Sequence, residues 1–410
     1  MKSRSLGRVV AWLVLLMAGA SEPQAGEIAV FSSKALQEAF GRARAGDTLV
    51  LAPGHYRAHR LTTRAAGTPQ APITVRSAVP HAAIVHADGG ELFSIHHGWW
   101  RFADLRLEGG PQAQHAFHVA GAAPRVRIEG NLVLDFNSPV KINGEPGAQY
   151  PDDGVLAGND FANRGARETG APVTFIDLVS ASGWVVRENV LADFAKGGGN
   201  RISYGIFMKG NSEGGLIERN LVLCRYRVEG GTRVGISLGG GGTETRYCRE
   251  GSCNTEHRGG TVRNNVVVDC PDVGVYLNRA QDSRVVHNTL LLTRGIDVRF
   301  PTSTGLVAGN VLSGRVLGRD GGRARERDNL VLTAAVTTRC FPGLARLDLA
   351  PAPDACTQRL PIPLADDDYH GNPRSEQTLA GALQAAGPFG LASRLARLRR
   401  ALDDGGNGTR

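Results

Sequence analysis

Lys209 is one of only five lysines in a chain that carries 47 lysines and arginines. It lies in the segment YGIFMKG. Three later segments, VGISLGG, VGVYLNR and RGIDVRF, align with it on Gly205, Gly235, Gly274 and Gly295. Four residues past each glycine stand Lys209, Gly239, Asn278 and Arg299. If these segments are strands of stacked coils, the four positions point the same way, with Lys209 and Asn278 about 10 Å apart. A lysine crowded by arginines and partly desolvated gives up its proton more readily and can serve as a base. Lys209 is therefore the candidate base. Four glycines, Gly239 to Gly242, form a bare floor beside it, where a ligand or another backbone can approach closely.

An insertion over residues 239–260, GGGGTETRYCREGSCNTEHRGG, starts from that floor and returns beside it. It is expected to bring Glu244, Arg246, Arg249, Glu256, His257 and Arg258 over the column. His257 or Arg279 would then act as acid or carboxylate clamp. Arg233, Glu244, Glu256, Arg258, Asn278 and Arg299 are the candidate substrate contacts. Asp152 and Asp153 are a lesser pair, equally readable as a plain turn. Each choice has a blander competitor: a strand-edge lysine, a histidine in a structural hydrogen bond, a glutamate paired with an arginine. No phosphate loop, HExxH helix or GxSxG elbow is present.

The elements that must position these residues show in a repeat. GNLVL, GNDF, ENVLAD, RNLVLC, NNVVVD, HNTLLL, GNVLSG and DNLVLT each set an asparagine before a short apolar strand. The asparagines are Asn131, Asn159, Asn189, Asn220, Asn265, Asn288, Asn310 and Asn329, spaced 28, 30, 31, 45, 23, 22 and 19 residues apart. The short spacings fit a minimal coil of three strands and three turns. The longer ones fit the same coil with inserted loops. Asparagine tolerates left-handed turns, and its amide can both donate and accept between copies above and below. The pattern predicts an all-β fold, a right-handed parallel β-helix stacked around one continuous core. Ser33 is expected to cap a helix covering the N-terminal end. LASRLARLRRAL predicts a helical tail that either caps the other end or packs along the side. The expected organisation is a signal peptide over 1–25, the β-helix over 26–375 and the tail over 376–410.

Lys2, Arg4 and Arg8 precede an apolar run, Val9 to Ala20, with cleavage expected after Ala20 or Ala25. That run is far short of the roughly 20 residues that span a bilayer. The chain is therefore expected in the periplasm or outside the cell, with no stable membrane span. All six cysteines lie beyond the signal segment. Their even count suits disulfides, and no CxxC pair suggests zinc. Cys248–Cys253 would close a short loop and Cys340–Cys356 would staple the C-terminal segment. Cys224 and Cys270, four and five residues after Asn220 and Asn265, would bridge adjacent coils. A net charge of +8 suits an acidic partner. The chain reads as a monomer that binds no nucleic acid.

LQEAFGRARAGDTLVLAPGHY, GTPQAPITVRS and WWRFADLRLEGG resemble the opening of the chondroitinase B and alginate lyase family. The later coils and DYHGNPR resemble the wider pectate-lyase-like β-helix superfamily. This resemblance, over roughly residues 28–375, implies β-elimination on an acidic polysaccharide. It also implies that the base is a lysine placed like Lys209, that an arginine lies about one coil further on, and that glutamates just before the lysine hold calcium. Here Ile202 and Tyr204 stand where the glutamates would fall, and Gly239 where the arginine would fall. No cofactor is therefore assigned, and calcium is left as an implication of the resemblance alone. The expected function is a lyase on a uronate-containing glycan. A C5-epimerase, a glycoside hydrolase using Glu244 and Glu256, and a non-catalytic glycan-binding protein are the alternatives.

Overall fold

The computed structural model describes residues 26–145, 149–349, 351–352, 356–361, 363–384 and 392–404. The expected signal peptide, 1–25, lies outside these residues. Three parallel sheets of 12, 10 and 11 strands dominate the described residues. Each strand pairs with its counterpart one coil earlier and one coil later. Val185–Arg187, for example, lies between Val155–Ala157 and Leu216–Glu218. This is a right-handed parallel β-helix, the hand that parallel crossovers take almost without exception. Register stacks like on like. Phe102, Ile128, Leu156, Val186, Ile217 and Val262 form one inward column, and all are fully buried.

The asparagine ladder is continuous. The side-chain oxygen of Asn159 accepts from both the backbone and the side-chain nitrogen of Asn131, each at 3.0 Å. The same double bond recurs at every step to Asn329, with distances of 2.9–3.0 Å. One detail differs from expectation. The left-handed residue is not the asparagine but the one before it: Glu188, Arg219, Asn264, His287 and Asp328 all have φ between 53° and 57°. Glycine fills that place at Gly130, Gly158 and Gly309. The turn costs a non-glycine residue about 1 kcal/mol, and the buried amide bonds that follow offset it.

The first helix, Ser33–Arg42, is capped by Ser32, whose side chain accepts from the Ala35 N–H at 3.1 Å. The cap thus sits one residue earlier than Ser33. Leu36 and Phe40 are buried, and the Phe40 ring lies 4.8 Å from Trp100 and 5.7 Å from Phe93. That helix seals the N-terminal end of the core. The tail helix, Ala392–Asp404, does not seal the other end. Its Leu395, Leu398 and Leu402 join the apolar cluster that holds Leu132, Leu134 and Val190 of the eleven-stranded sheet. Arg394 and Arg397 both pair with the fully buried Asp160.

All three expected disulfides form: Cys224–Cys270, Cys248–Cys253 and Cys340–Cys356. They belong to a non-cytoplasmic, oxidising setting. No helix among the described residues is long and apolar enough to cross a membrane.

Candidate functional site

The ten-stranded sheet carries the site because its outward face is lined by long polar side chains. Its register puts His118, Lys141, Asp177, Phe207 and Ser237 in one row. Lys209 stands two residues beyond Phe207, opposite Val179. A groove of about 800 Å³ opens along this face, lined by His115, His118, Lys141, Asp177, Tyr204 and Lys209. Thr243, Glu244 and Tyr247 of the inserted loop form one wall.

One buried carboxylate joins two cations here. Lys141 Nζ lies 2.5 Å from one oxygen of Asp177, and Lys209 Nζ lies 3.9 Å from the other. Burial opposes ionisation of Asp177, but the ammonium groups of Lys141 and Lys209 outweigh it and hold the carboxyl below its usual range. Lys209 also lies over the Phe207 ring, 4.3 Å from its centre. Tyr204 stacks on Phe207 at 4.5 Å. Burial, then the neighbouring Tyr276 and Asp272, raises the pKa of the Tyr204 phenol, so it keeps its proton. Burial lowers the pKa of His115 to about 4. Its Nδ1 meets the Ser138 carbonyl at 2.7 Å, which leaves a neutral ring with Nε2 as the acceptor.

The glycine floor has a steric reason. A Cβ on Gly240 would fall 2.2 Å from the Phe207 ring and 3.5 Å from Lys209 Cδ. At Gly239 it would fall 2.0 Å from the Asn278 carbonyl oxygen, and φ there is +72°. The loop then leans toward the N-terminal coils, not over Asn278. The Arg249 N–H donates to the Gly210 carbonyl at 2.9 Å. Its guanidinium pairs with Asp152, donates to the Ser180 carbonyl and stacks 3.9 Å from the centre of Tyr150. Asp152 thus anchors the loop and also accepts from the Ser182 N–H at 2.8 Å. Asp153 is a turn residue with φ 60°, 3.3 Å from Arg125.

Several expected site residues do not reach the groove. His257 is fully buried. With Arg258 it forms a short strand between Ser212–Glu213 and Ala280–Gln281, part of the coil turn rather than the loop wall. Its Nδ1 meets the Ser212 hydroxyl at 2.8 Å, and Nε2 has no hydrogen-bond partner among the described residues. Arg258 points outward, 3.4 Å from Gln281. Arg233 is fully buried and binds the carbonyls of Cys224, Val228 and Gly230, so it is a structural brace. Glu256 is buried; it accepts from the Gly210 N–H at 2.8 Å and the Thr243 hydroxyl at 3.2 Å. Burial raises its pKa. Arg279 stacks on Phe300 at 4.8 Å, and Arg299 stacks on the same ring at 4.5 Å while pairing with Asp320. Asn278 is buried. Glu244 does line the groove and pairs with Arg246 at 2.8 Å.

Solved structures match along most of the chain. A pectate lyase (Pel9A) is 14% identical, covers 88% of this chain and 97% of its own, and superposes with a TM-score of 0.59. A rhamnogalacturonan lyase is 13% identical, covers 89% and 92%, and reaches 0.55. This chain has the fold of the β-helix polysaccharide lyases. An alginate lyase from Paenibacillus sp. str. FPU-7 matches at 16% identity and a TM-score of 0.43, over 74% and 99% of the two chains. At these identities the likeness is one of fold, and it does not single out the chondroitinase B group. No protein-family model matches the sequence, and no curated protein does.

Within this β-helix the residues present do not fit a calcium cage. Ile202 is partly exposed where a carboxylate would be needed. Tyr204 offers a protonated phenol in place of a carboxylate. Among the described residues no three His, Cys, Asp or Glu side chains gather to hold a metal ion. The sequence reading missed Lys141, Asp177, His115 and His118. Their coils lack the glycine that marks Gly205 and Gly235, so nothing in the sequence aligns them with Lys209.

The buried His257 has a measurable consequence. Burial alone lowers its pKa to about 4. Its surroundings are Ser212 and the close-packed Gly215 and Gly260, none of which titrates. The unfolded chain protonates histidine near pH 6.5, while the folded chain keeps His257 neutral. Stability is therefore fully present above about pH 6.5 and falls as the pH drops toward 4, by about 3 kcal/mol from this group. Thermal melts across that range, compared with His257→Gln, should show the wild type losing more stability on acidification. Parallel curves would refute the assignment.

Proposed function

We propose that this chain is an exported lyase that cleaves a uronate-containing polysaccharide by β-elimination, acting in the periplasm or outside the cell. The observation that carries the reading is the Lys141–Asp177–Lys209 bridge in the long open groove of the ten-stranded sheet. Such a groove suits a polymer, and its cations suit an acidic one. The fold shared with polysaccharide lyases supports the same reading.

In the proposed step Lys209 first releases the proton of its ammonium group, which faces Asp177, and the free amine then takes the C5 proton. The C5–H electron pair forms the C4–C5 double bond as the C4–O4 bond breaks. O4 leaves with the electrons of that bond and takes a proton from the Tyr204 phenol. His257 is too deeply buried to serve as that acid. The hydrolase alternative weakens for a similar reason: Glu256 is buried and spent on Gly210 and Thr243.

The test is incubation with a panel of uronans, including pectate, alginate, chondroitin and rhamnogalacturonan. Expected is rising ultraviolet absorbance from unsaturated ends, with chain shortening. Reducing ends without unsaturation would indicate hydrolysis. Solvent deuterium at C5 without shortening would indicate epimerisation. Unchanged glycan that still binds would indicate a binding protein.

A further inference from the structure

Removing a proton next to a carboxylate delocalises negative charge onto that carboxylate, and a fixed cation must meet it. On the lyase reading, this site has to supply that cation from its own residues or from a metal. The carboxylates around the groove are already engaged. Asp177 is shared by two lysines, Glu91 lies 3.0 Å from His118, and Glu244 pairs with Arg246. Glu256 is turned into the backbone. Of the lysines lining the groove, Lys196 is bound to the Gly170 carbonyl and Asn200 and Lys209 serves as the base, which leaves Lys141 as the cation.

We infer that Lys141 is the substrate-carboxylate clamp and that it takes the place of a divalent metal. Three observations support this. Lys141 is held at 2.5 Å by Asp177, so its ammonium is fixed before substrate arrives. Its side chain is 23% exposed, enough to reach substrate, while Asp177 beneath it is buried. It also shares that carboxylate with Lys209, so clamp and base stand on opposite oxygens of one anchor. An ammonium has three N–H donors, and one suffices for Asp177. The other two are free to bind a uronate carboxylate. When substrate binds, Lys141 lies between two carboxylates and balances the charge that grows during proton removal. Asp177 is a positioning residue: it touches the two lysines and not the glycan.

The test uses the full chain and a uronan that it cleaves. Turnover is expected to be unchanged by EDTA and by added calcium. Lys141→Met should lower kcat by about 100-fold or more, and Lys141→Arg should restore part of it. Binding gives a readout independent of turnover. In the Lys209→Ala background, an acidic oligosaccharide should bind about tenfold more tightly than its methyl ester, the worth of one charge-assisted hydrogen bond. Lys141→Met added to that background should erase the difference. Abolition of turnover by EDTA, or survival of the acid-over-ester preference without Lys141, overturns the inference and leaves the lyase reading standing. Absence of elimination on every uronan overturns both. Circular dichroism of each variant separates loss of the clamp from loss of the fold.

Discussion

Lys209→Ala is expected to lower kcat by about 10²–10⁴-fold, the usual contribution of a positioned general base. The fold should survive. Lys209 lies on the outer face of its strand, over Phe207 and beside Asp177, and carries no part of the apolar core. Truncation removes a surface contact and leaves Asp177 still paired with Lys141. Lys209→Arg sharpens the result. Arginine keeps the positive charge but does not give up its proton. A base is lost in both variants, whereas a mere carboxylate clamp would be kept in the arginine variant. Unsaturated-end formation by the purified variants, with KM measured alongside, decides the matter. Activity within a few-fold of wild type in Lys209→Ala would remove Lys209 from the chemistry.

The second large effect concerns stability. Asn220 is fully buried. Its amide donates to the carbonyls of Val186 and Glu218 and to Asn265 Oδ1 at 2.9–3.0 Å. Its oxygen accepts from the backbone and side chain of Asn189 at 3.0 Å. Asn220→Ala leaves these partners without their hydrogen bonds in a place water does not reach. A buried polar group so stranded costs about 1–3 kcal/mol, and several are stranded together. The expected loss is about 3–5 kcal/mol, read as a lower urea midpoint. Asn329→Ala, at the half-buried end of the ladder, should cost distinctly less. Equal losses at both positions would mean that ladder burial is not what stabilises the coils.

The ladder was legible because it is periodic. Eight asparagines ahead of short apolar runs declare both the coil and its register. The disulfide between Cys224 and Cys270 follows from that register, since the two cysteines occupy nearly equivalent places in adjacent coils. The column Lys209, Gly239, Asn278 and Arg299 was legible for the same reason, and the pairing of Asn278 with Arg299 is in register. What the periodicity did not carry was the left-handed residue. It lies one place before each asparagine, where sequence identity varies from glycine to arginine.

Of the proposed site, the sequence singled out Lys209 and little further. Lys141 and Asp177 sit in coils whose loops vary in length, so no fixed distance from an asparagine marks them. The insertion was visible, but not its direction. It leans toward the N-terminal coils because Arg249 finds Asp152, 97 residues away in sequence. His257 looked like a wall residue because it follows the loop, yet backbone pairing draws it into the turn and buries it. The sequence alone determined the stacked coils, since a repeated short-range pattern sets local geometry. Only the tertiary structure decided which charges face one another, because side chains on coils of unequal length meet through sheet register, not through spacing along the chain.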